Sequence, residues 1–330
     1  MRAARAVPHP EGGEVAVLEV PTPTPGPDQV LVKVKAAGLN RGEILQTGRL
    51  RTGEPQPIGV EFAGEVAAVG AGVTQWHEGD RVMGHGNGGQ AEYASAASRA
   101  LMRIPDSISW AEAAAFPNVF ITAHDALITN GQLQSGETLL VNAASSGIGL
   151  ASIEIGRALG ASRVVATSRS ADKVERLKAL GVDCAIDVST TDQADAVADF
   201  TAGHGVDVLI DSVGGTTFEA NLESLAVQGR LVNIGRLGSS TATIDLNTLW
   251  LKRLKLIGVT FRTRTEEERL ACVQACARDL LAPFEAGRIR TTIDRTFHLD
   301  EIAAAHAYMQ TDRHFGKIVL LVDDALAGAS

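Results

Sequence analysis

Cysteine is scarce in this chain, with Cys184, Cys272 and Cys276 the only three among 330 residues. The number is odd and no C-x-x-C pair occurs, which argues against a disulfide scaffold and against a zinc lobe built on four thiolates. A reducing, cytoplasmic setting is expected. Positive charge is also short: 30 Lys and Arg against 39 Asp and Glu leave a net charge of −9. Without a clustered basic run, neither nucleic acid nor an anionic membrane surface is an expected partner. No apolar run approaches the ~18 residues of a membrane span. The N-terminus carries Arg2 and Arg5 but no apolar stretch before Pro8, so no targeting segment or anchor is expected. A small-molecule partner remains.

Glycine, in contrast, is plentiful: 34 residues, against nine Phe, three Trp and two Tyr. Together with 45% hydrophobic content, this describes a chain that buries a sizeable core in short elements joined by tight turns, with length enough for two domains. The first third reads as β-rich. After the entry Pro21-Thr-Pro-Thr-Pro-Gly-Pro27, which cannot be helical, Val30 to Lys35 alternate at period two. Gly59 to Val69, Asp80 to Met83 and Ala91 to Ala94 follow as short strand candidates between glycine turns, with no long helix expected among them. From about Trp110 the texture becomes alternating strands and helices, predicting a doubly wound parallel sheet. Its strands are expected at Thr138 to Ala143, Arg163 to Ser168, Cys184 to Asp187, Val206 to Asp211, Gly229 to Ile234 and Leu254 to Phe261. Gly160 and Gly181 stand where helix C-caps belong. An acidic helix start at Glu266, then strand, helix and the strand Gly316 to Val322, complete the chain.

The chemistry-bearing motif is Leu139-Leu-Val-Asn-Ala-Ala-Ser-Ser-Gly-Ile-Gly149, a strand entering a small-residue turn and then a helix. In the dinucleotide fingerprint G-x-G-x-x-G, such residues let the backbone approach a pyrophosphate at a helix N-terminus. The three fingerprint positions read Ala144, Ser146 and Gly149, with Ser145, Gly147 and Ile148 between them. The next strand ends Ala166-Thr167-Ser168-Arg169, with Lys173 one helical turn further and no carboxylate before Asp172. An NAD site ordinarily places an acid here, whereas a 2′-phosphate needs hydroxyls and positive charge. Ser168, Arg169 and Lys173 therefore point to NADPH, against the alternative that the two cations are solvated helix-start residues.

The string Ala-Ala-Ser-Ser-Gly-Ile-Gly also resembles the turn of short-chain dehydrogenases, whose catalysis needs Tyr-x-x-x-Lys. Tyr93 is followed four residues on by Ala97 and Tyr308 by Asp312, so that pair is missing. The whole chain instead resembles the medium-chain dehydrogenase/reductase superfamily, through Pro25-Gly-Pro-Asp-Gln-Val-Leu-Val-Lys-Val34, Ala37-Gly-Leu-Asn40, Gly59-Val-Glu-Phe-Ala-Gly64, Gly79-Asp-Arg-Val82, Ala91-Glu-Tyr-Ala94, Gly229-Arg-Leu-Val-Asn-Ile-Gly235 and Phe315-Gly-Lys-Ile-Val319, in that order. The zinc alcohol dehydrogenases carry cysteine where this chain has Asn40 and histidine where it has Val60, and neither replacement is a zinc ligand of ordinary kind. The resemblance therefore narrows to the zinc-independent quinone oxidoreductase branch, similar to zeta-crystallin. Gly258 to Arg264 further resembles a Gly-x-x-x-Arg-x-Arg stretch of one subgroup.

This resemblance implies a GroES-like β-rich catalytic domain, residues 1–123 and 263–330, and a Rossmann NADP-binding domain, residues 124–262. It implies Asn40 beside the acceptor carbonyl as a hydrogen-bond donor, with Gln46 and Asn118 as further polar candidates. Thr122 would touch the nicotinamide, Gly235 would bind the cofactor, Phe315, Gly316 and Lys317 would lie near the nicotinamide ribose, and a homodimer would form through residues 255–261. Glu61 reads as a structural carboxylate, and His77 and His85 as an improbable metal pair. Two departures concern the substrate and adenine pockets, where Leu50 and Val188 stand at positions that relatives fill with tyrosine. The expected reaction is hydride transfer from NADPH to a quinone, because a phenolate of pKa about 10 needs no protein acid. An enone or enoyl reductase, whose enolate gains from a positioned acid, and a crystallin-like NADPH-binding protein of little turnover are the alternatives.

Overall fold

The proline-rich entry delivers the chain into its longest strand. In the computed structural model, which describes residues 1–323, β1 (Arg2–Val7) and β2 (Glu14–Glu19) form an antiparallel pair and β3 runs Gln29–Leu39. The alternation read at Val30 to Lys35 is the pleat of β3: Val30, Val32 and Val34 are buried while Gln29 and Lys33 face out. There follow α1 (Arg41–Thr47), β4 (Gln56–Pro57), β5 (Glu61–Val69), β6 (Arg81–His85), β7 (Tyr93–Ala97) and β8 (Leu101–Arg103), then the helices α2 (Trp110–Ala114) and α3 (Pro117–His124). No long helix interrupts these strands, as expected. The pair β1 and β2 was not legible, because Arg2-Ala-Ala-Arg-Ala-Val7 neither alternates nor carries large apolar residues.

From residue 138 the chain alternates strand and helix: β9 (Thr138–Val141), α4 (Gly147–Ala158), β10 (Arg163–Ser168), α5 (Ala171–Ala179), β11 (Cys184–Asp187), α6 (Gln193–Phe200), β12 (Val206–Asp211), α7 (Phe218–Ser224), β13 (Leu225–Asn233), α8 (Leu246–Leu251) and β14 (Lys255–Gly258). These six strands form one all-parallel sheet in the order β11-β10-β9-β12-β13-β14, the doubly wound dinucleotide-binding arrangement, whose order reverses between β9 and β12. Gly160 and Gly181 end α4 and α5 with φ of +81° and +79°, the left-handed cap conformation that glycine takes without strain. The chain closes with α9 (Glu266–Glu285), β15 (Ile293–His298), α10 (Ile302–Gln310) and β16 (Lys317–Leu321).

The contacts divide the protein into two units. One comprises Met1–Ile121, Glu267–Glu285 and the chain from Thr291 onward; the other comprises Thr122–Glu266 and Ala286–Arg290. The first holds a seven-stranded sheet, β15-β16-β3-β5-β6-β8 with β7 also on β3, and the three-stranded sheet β2-β1-β4. Its core gathers Val30, Val32, Phe62, Trp76, Leu101, Ile302, Ile318 and Leu320. The second unit packs its helices on the parallel sheet around Leu140, Val165, Ile186, Leu209, Leu222 and Leu231.

Candidate active site

In the second unit the turn after β9 is built from small residues for a steric reason. Ala143 adopts φ +49°, Ala144 N–H donates to Thr167 O at 2.9 Å, and a Cβ at Gly149 would stand 2.6 Å from the Ala144 backbone. Glycine at 149 thus lets α4 start against the turn, the role of the third fingerprint glycine. Ser146 is the N-cap of α4: its Oγ accepts from Gly149 N at 3.1 Å and donates to Ala143 O at 2.8 Å. Ser145 is buried, and Gly147 and Ile148 form the first turn of α4. Beneath the turn, Asn142 donates to Asn221 at 2.7 Å and accepts from Thr167 at 3.0 Å. The N-terminus of α4, with its unpaired N–H groups and positive dipole end, fits a pyrophosphate at the strand-order reversal.

At the neighbouring strand end, Ser168 is buried and Arg169 is exposed, while Lys173 lies on the first turn of α5. Gly235 follows β13 and is constrained by Ser212, whose carbonyl a Cβ would meet at 2.7 Å. Thr122 is the sixth residue of α3. Of the Gly-x-x-x-Arg-x-Arg stretch, Arg264 is committed to the buried Asp125 at 2.6 Å, where residues Asp125–Asn130 form a π-helical segment of the kind that often marks functional sites. Arg262 stays exposed.

The first unit assembles a second polar cluster, because strand pairing lines up its members at one end of the sheet. Ile318 pairs with Leu39, so Lys317 comes beside Asn40, and Glu61 pairs with His85. A Cβ at Gly38 would overlap the Glu61 carboxylate, which explains the glycine in Ala37-Gly-Leu-Asn40. Pro117 occupies the first turn of α3, where its missing N–H costs nothing, and Asn118 N–H donates to Glu61 Oε2 at 2.7 Å. The carboxylate therefore sits at a helix N-terminus.

Asn40 is the hub, and its hydrogen-bonding capacity is spent. Its Nδ2 donates to Glu61 Oε1 at 2.9 Å and Glu43 Oε1 at 3.2 Å, and its Oδ1 accepts from Lys317 Nζ at 2.8 Å and Asn118 Nδ2 at 2.9 Å. Lys317 Nζ also reaches Glu61 Oε1 at 2.5 Å and Leu39 O at 2.8 Å. Glu43 accepts further from the N–H groups of Asn40 and Val60, each at 3.2 Å, and from Gln90 Nε2 at 2.8 Å. Burial drives the Glu43 carboxyl up to about 7, against the opposing pull of Lys317 and the Asn40 donors and with the aid of Glu61. Burial likewise pushes His85 down, which keeps its ring neutral; its Nε2 lies 3.3 Å from Asn118 Oδ1.

This geometry changes several expectations. An amide with both protons already donated cannot polarise a carbonyl in this arrangement, so Asn40 as built is held rather than offered. All three ammonium protons of Lys317 have acceptors, so its role shifts from a ribose neighbour to the tie between Asn40 and Glu61. Phe315 is buried and Gly316, at φ +96°, sets the turn that leads into Lys317. Asn118 joins the cluster, whereas Gln46 is exposed on α1 and does not enter it. Glu43, Gln90 and His85 were not singled out as site residues, although the spacing Asn40-x-x-Glu43 is that of a helix capping box. His77 is exposed, and among the described residues no group of three or more His, Cys, Asp or Glu is placed to hold a metal ion.

Comparison with known proteins follows this division. Residues 26–106 match the alcohol dehydrogenase GroES-like domain, and residues 147–275 match the zinc-binding dehydrogenase family model. Quinone oxidoreductase-like protein 2 of Bos taurus is 33% identical over 92% of this chain and 88% of its own length. A quinone oxidoreductase of Pseudomonas aeruginosa is 34% identical over 90% of this chain and 92% of its own. Among solved structures, a mycobacterial protein complexed with NADPH aligns at TM-score 0.86 and 29% identity, covering 98% of this chain and 100% of that one. An NAD-dependent alcohol dehydrogenase aligns at TM-score 0.85 and 29% identity over 98% and 100% of the two chains. Two matched domains, whole-length relatives, and Asn40 and Val60 where zinc enzymes carry their ligands give one assignment: the chain belongs to the zinc-independent quinone oxidoreductase branch of the medium-chain dehydrogenase/reductase superfamily.

Proposed function

We propose that this oxidoreductase uses NADPH to reduce quinone-type acceptors without a metal. The observation that carries the cofactor choice is the end of β10, where buried Ser168 is followed by exposed Arg169 and then by Lys173, with no carboxylate before Asp172. When bound, the nicotinamide supplies the hydride. The turn Ala144 to Gly149 and the α4 N-terminus would hold the pyrophosphate, Ser168, Arg169 and Lys173 would hold the 2′-phosphate, Thr122 would touch the nicotinamide, Gly235 would bind the cofactor, and Phe315 and Gly316 would lie near the nicotinamide ribose. The acceptor choice rests on the state of the polar cluster. Its two acids, Glu43 and Glu61, are buried and bonded inward, so neither is offered to protonate an acceptor, which suits a substrate whose reduced oxygen leaves as a weakly basic phenolate and takes its proton from water. Asn40 and Asn118 would face that acceptor and Gln46 would border its entry. The small molecule is the expected partner in a cytoplasmic homodimer; the three cysteines are unbridged, and among the described residues no helix is long and apolar enough to cross a membrane.

Steady-state oxidation of NADPH and NADH with 1,4-benzoquinone and with a medium-chain enone tests the proposal. Turnover with NADPH and benzoquinone well above the other three combinations is expected. Preference for the enone would make the protein an enoyl-type reductase, and tight NADPH binding without oxidation across an acceptor panel would make it a binding protein.

A further inference from the structure

The buried cluster of the first unit contains two carboxylates and one ammonium. Glu61 is fully buried, Lys317 is 4% exposed and Glu43 is 5% exposed. With both acids ionised the set would carry an uncompensated negative charge in a low-dielectric interior; with one proton added it is neutral. Glu61 accepts from the Lys317 ammonium and from the Asn118 N–H at the start of α3, so it is the acid held ionised. Glu43 receives only amide donors, from Asn40, Val60 and Gln90, and it is the acid that takes the proton. A protonated Glu43 needs an acceptor, and one stands beside it. Gln90 is fully buried and its Oε1 has no hydrogen-bond partner among the described residues, while its Nε2 lies on Glu43 Oε2 at 2.8 Å. Turning this amide brings Oε1 to the acid proton at the expense of a 3.2 Å donation to Gly38 O.

We propose that Glu43 is a positioning residue for Asn40: ionised, it holds one amide proton of Asn40 inward by a charge-assisted bond; protonated, its remaining carbonyl oxygen holds that proton more weakly and lets it turn to the oxygen of a bound acceptor. The geometry selects which bond yields. Of the two bonds made by Asn40 Nδ2, the one to Glu43 is longer, 3.2 Å against 2.9 Å to Glu61. Asn40 Oδ1 is held by Lys317 and Asn118, so the amide turns about those contacts as its N–H leaves Glu43 and the side chain stays at the site. Asn40 is itself only half-buried. No bond to hydrogen breaks at Asn40; the proton gained or lost is that of the Glu43 carboxyl. The other titratable groups around this centre are Glu61 on β5, Lys317 on β16 and His85 on β6. His85 is kept neutral by burial, and the Glu43 carboxyl is pushed up to about 7, which places the change in the working range.

This inference rests on the reductase reading, and its test separates the two. In the wild type, kcat/KM for benzoquinone should fall toward tenfold per pH unit above about pH 7, the signature of one essential acid form. Glu43→Gln, a neutral isostere, should hold kcat/KM within about twofold across the same range, with NADPH affinity unchanged. In an Asn40→Ala background the second change should add nothing, because the two act as one unit. A Glu43→Gln enzyme that keeps the alkaline fall, or that loses NADPH affinity, would overturn the role. Should Glu43→Gln fail to fold, infrared titration of the wild type still decides: a buried carboxylic acid band must disappear near pH 7, and a carboxyl ionised throughout pH 5–9 refutes the proposal. Because that band needs no turnover, absence of quinone reduction with the band present would sink the reductase reading instead.

Discussion

The Lys317 ammonium and the Glu61 carboxylate meet at 2.5 Å with side chains 5% and 0% exposed, contributed by the first residues of two strands that flank β3 on opposite sides. Removing one member of such a pair leaves the other charged and dry, which typically costs 3–5 kcal/mol, whereas removing both is far less damaging. Lys317→Met should therefore lower unfolding free energy by about 3 kcal/mol or more in urea titration, and adding Glu61→Gln should restore a large part of it. NADPH affinity of the folded Lys317→Met protein should stay within about twofold of the wild type, since the ammonium is tied to Asn40 and Glu61. A selective loss of nucleotide affinity would return Lys317 to the cofactor.

The proposed NADPH preference rests on the strand end at Ser168. Arg169 and Lys173 bring positive charge where an NAD enzyme has an acid, and a charge-assisted contact contributes about 1.5–3 kcal/mol. Arg169→Ala with Lys173→Ala should weaken NADPH binding by roughly tenfold to a hundredfold and leave NADH within about threefold, by fluorescence titration of both nucleotides at fixed ionic strength. Equal losses for the two, or native preference for NADH, would show that no 2′-phosphate is recognised here.

The two units differed in what their sequence disclosed. The parallel sheet was legible to within a few residues in most strands, because most are short apolar runs bounded by a glycine or a helix cap, as β10 is by Gly160 before it and the N-cap Ser170 after it. The short helix α8 and the strands β1 and β2 were not, since their residues show neither period strongly. The fingerprint turn could be read because its function demands small residues at fixed spacing. The Asn40 cluster could not. Lys317, Glu61 and Asn40 lie far apart in sequence, and only the registers of β16 and of β5 on β3 bring them together. Their donor and acceptor balance, which turns Asn40 from an offered donor into a held one, is a property of that three-dimensional closure and leaves no local pattern.

His306 predicts an acid-side loss of stability. It is buried on α10, and its Nε2 has no hydrogen-bond partner among the described residues. Burial pushes the imidazole down to about 4, while the unfolded chain protonates it near 6.5. The unfolded state thus takes up a proton first as pH falls. The stability from keeping His306 neutral is complete above about pH 6.5 and is lost as pH drops through about 4, a change of order 2–3 kcal/mol. His306→Leu should flatten the dependence of urea midpoint on pH between 6.5 and 4 relative to the wild type. An identical slope in both proteins would place the acid sensitivity elsewhere.

The last prediction concerns the free edge of the parallel sheet. Among the described residues β14 pairs only with β13, so its outer edge presents unpaired backbone groups that natural proteins cover or blunt. Leu256 within it is 37% exposed, and just before it stand Leu246 at 70%, Trp250 at 72% and Leu251 at 59% exposure, a density of large apolar side chains that monomers seldom leave in water. A second copy of the chain is the simplest occupant, because an edge strand and an apolar helix related by a two-fold axis complete each other. The wild type should sediment as a dimer at micromolar concentration. Trp250→Glu with Leu246→Glu should shift it toward monomer while the far-ultraviolet circular dichroism is unchanged, because neither side chain is buried within its own chain. A wild type that sediments as a monomer, or a dimer indifferent to both charges, would mean that this edge is not the interface.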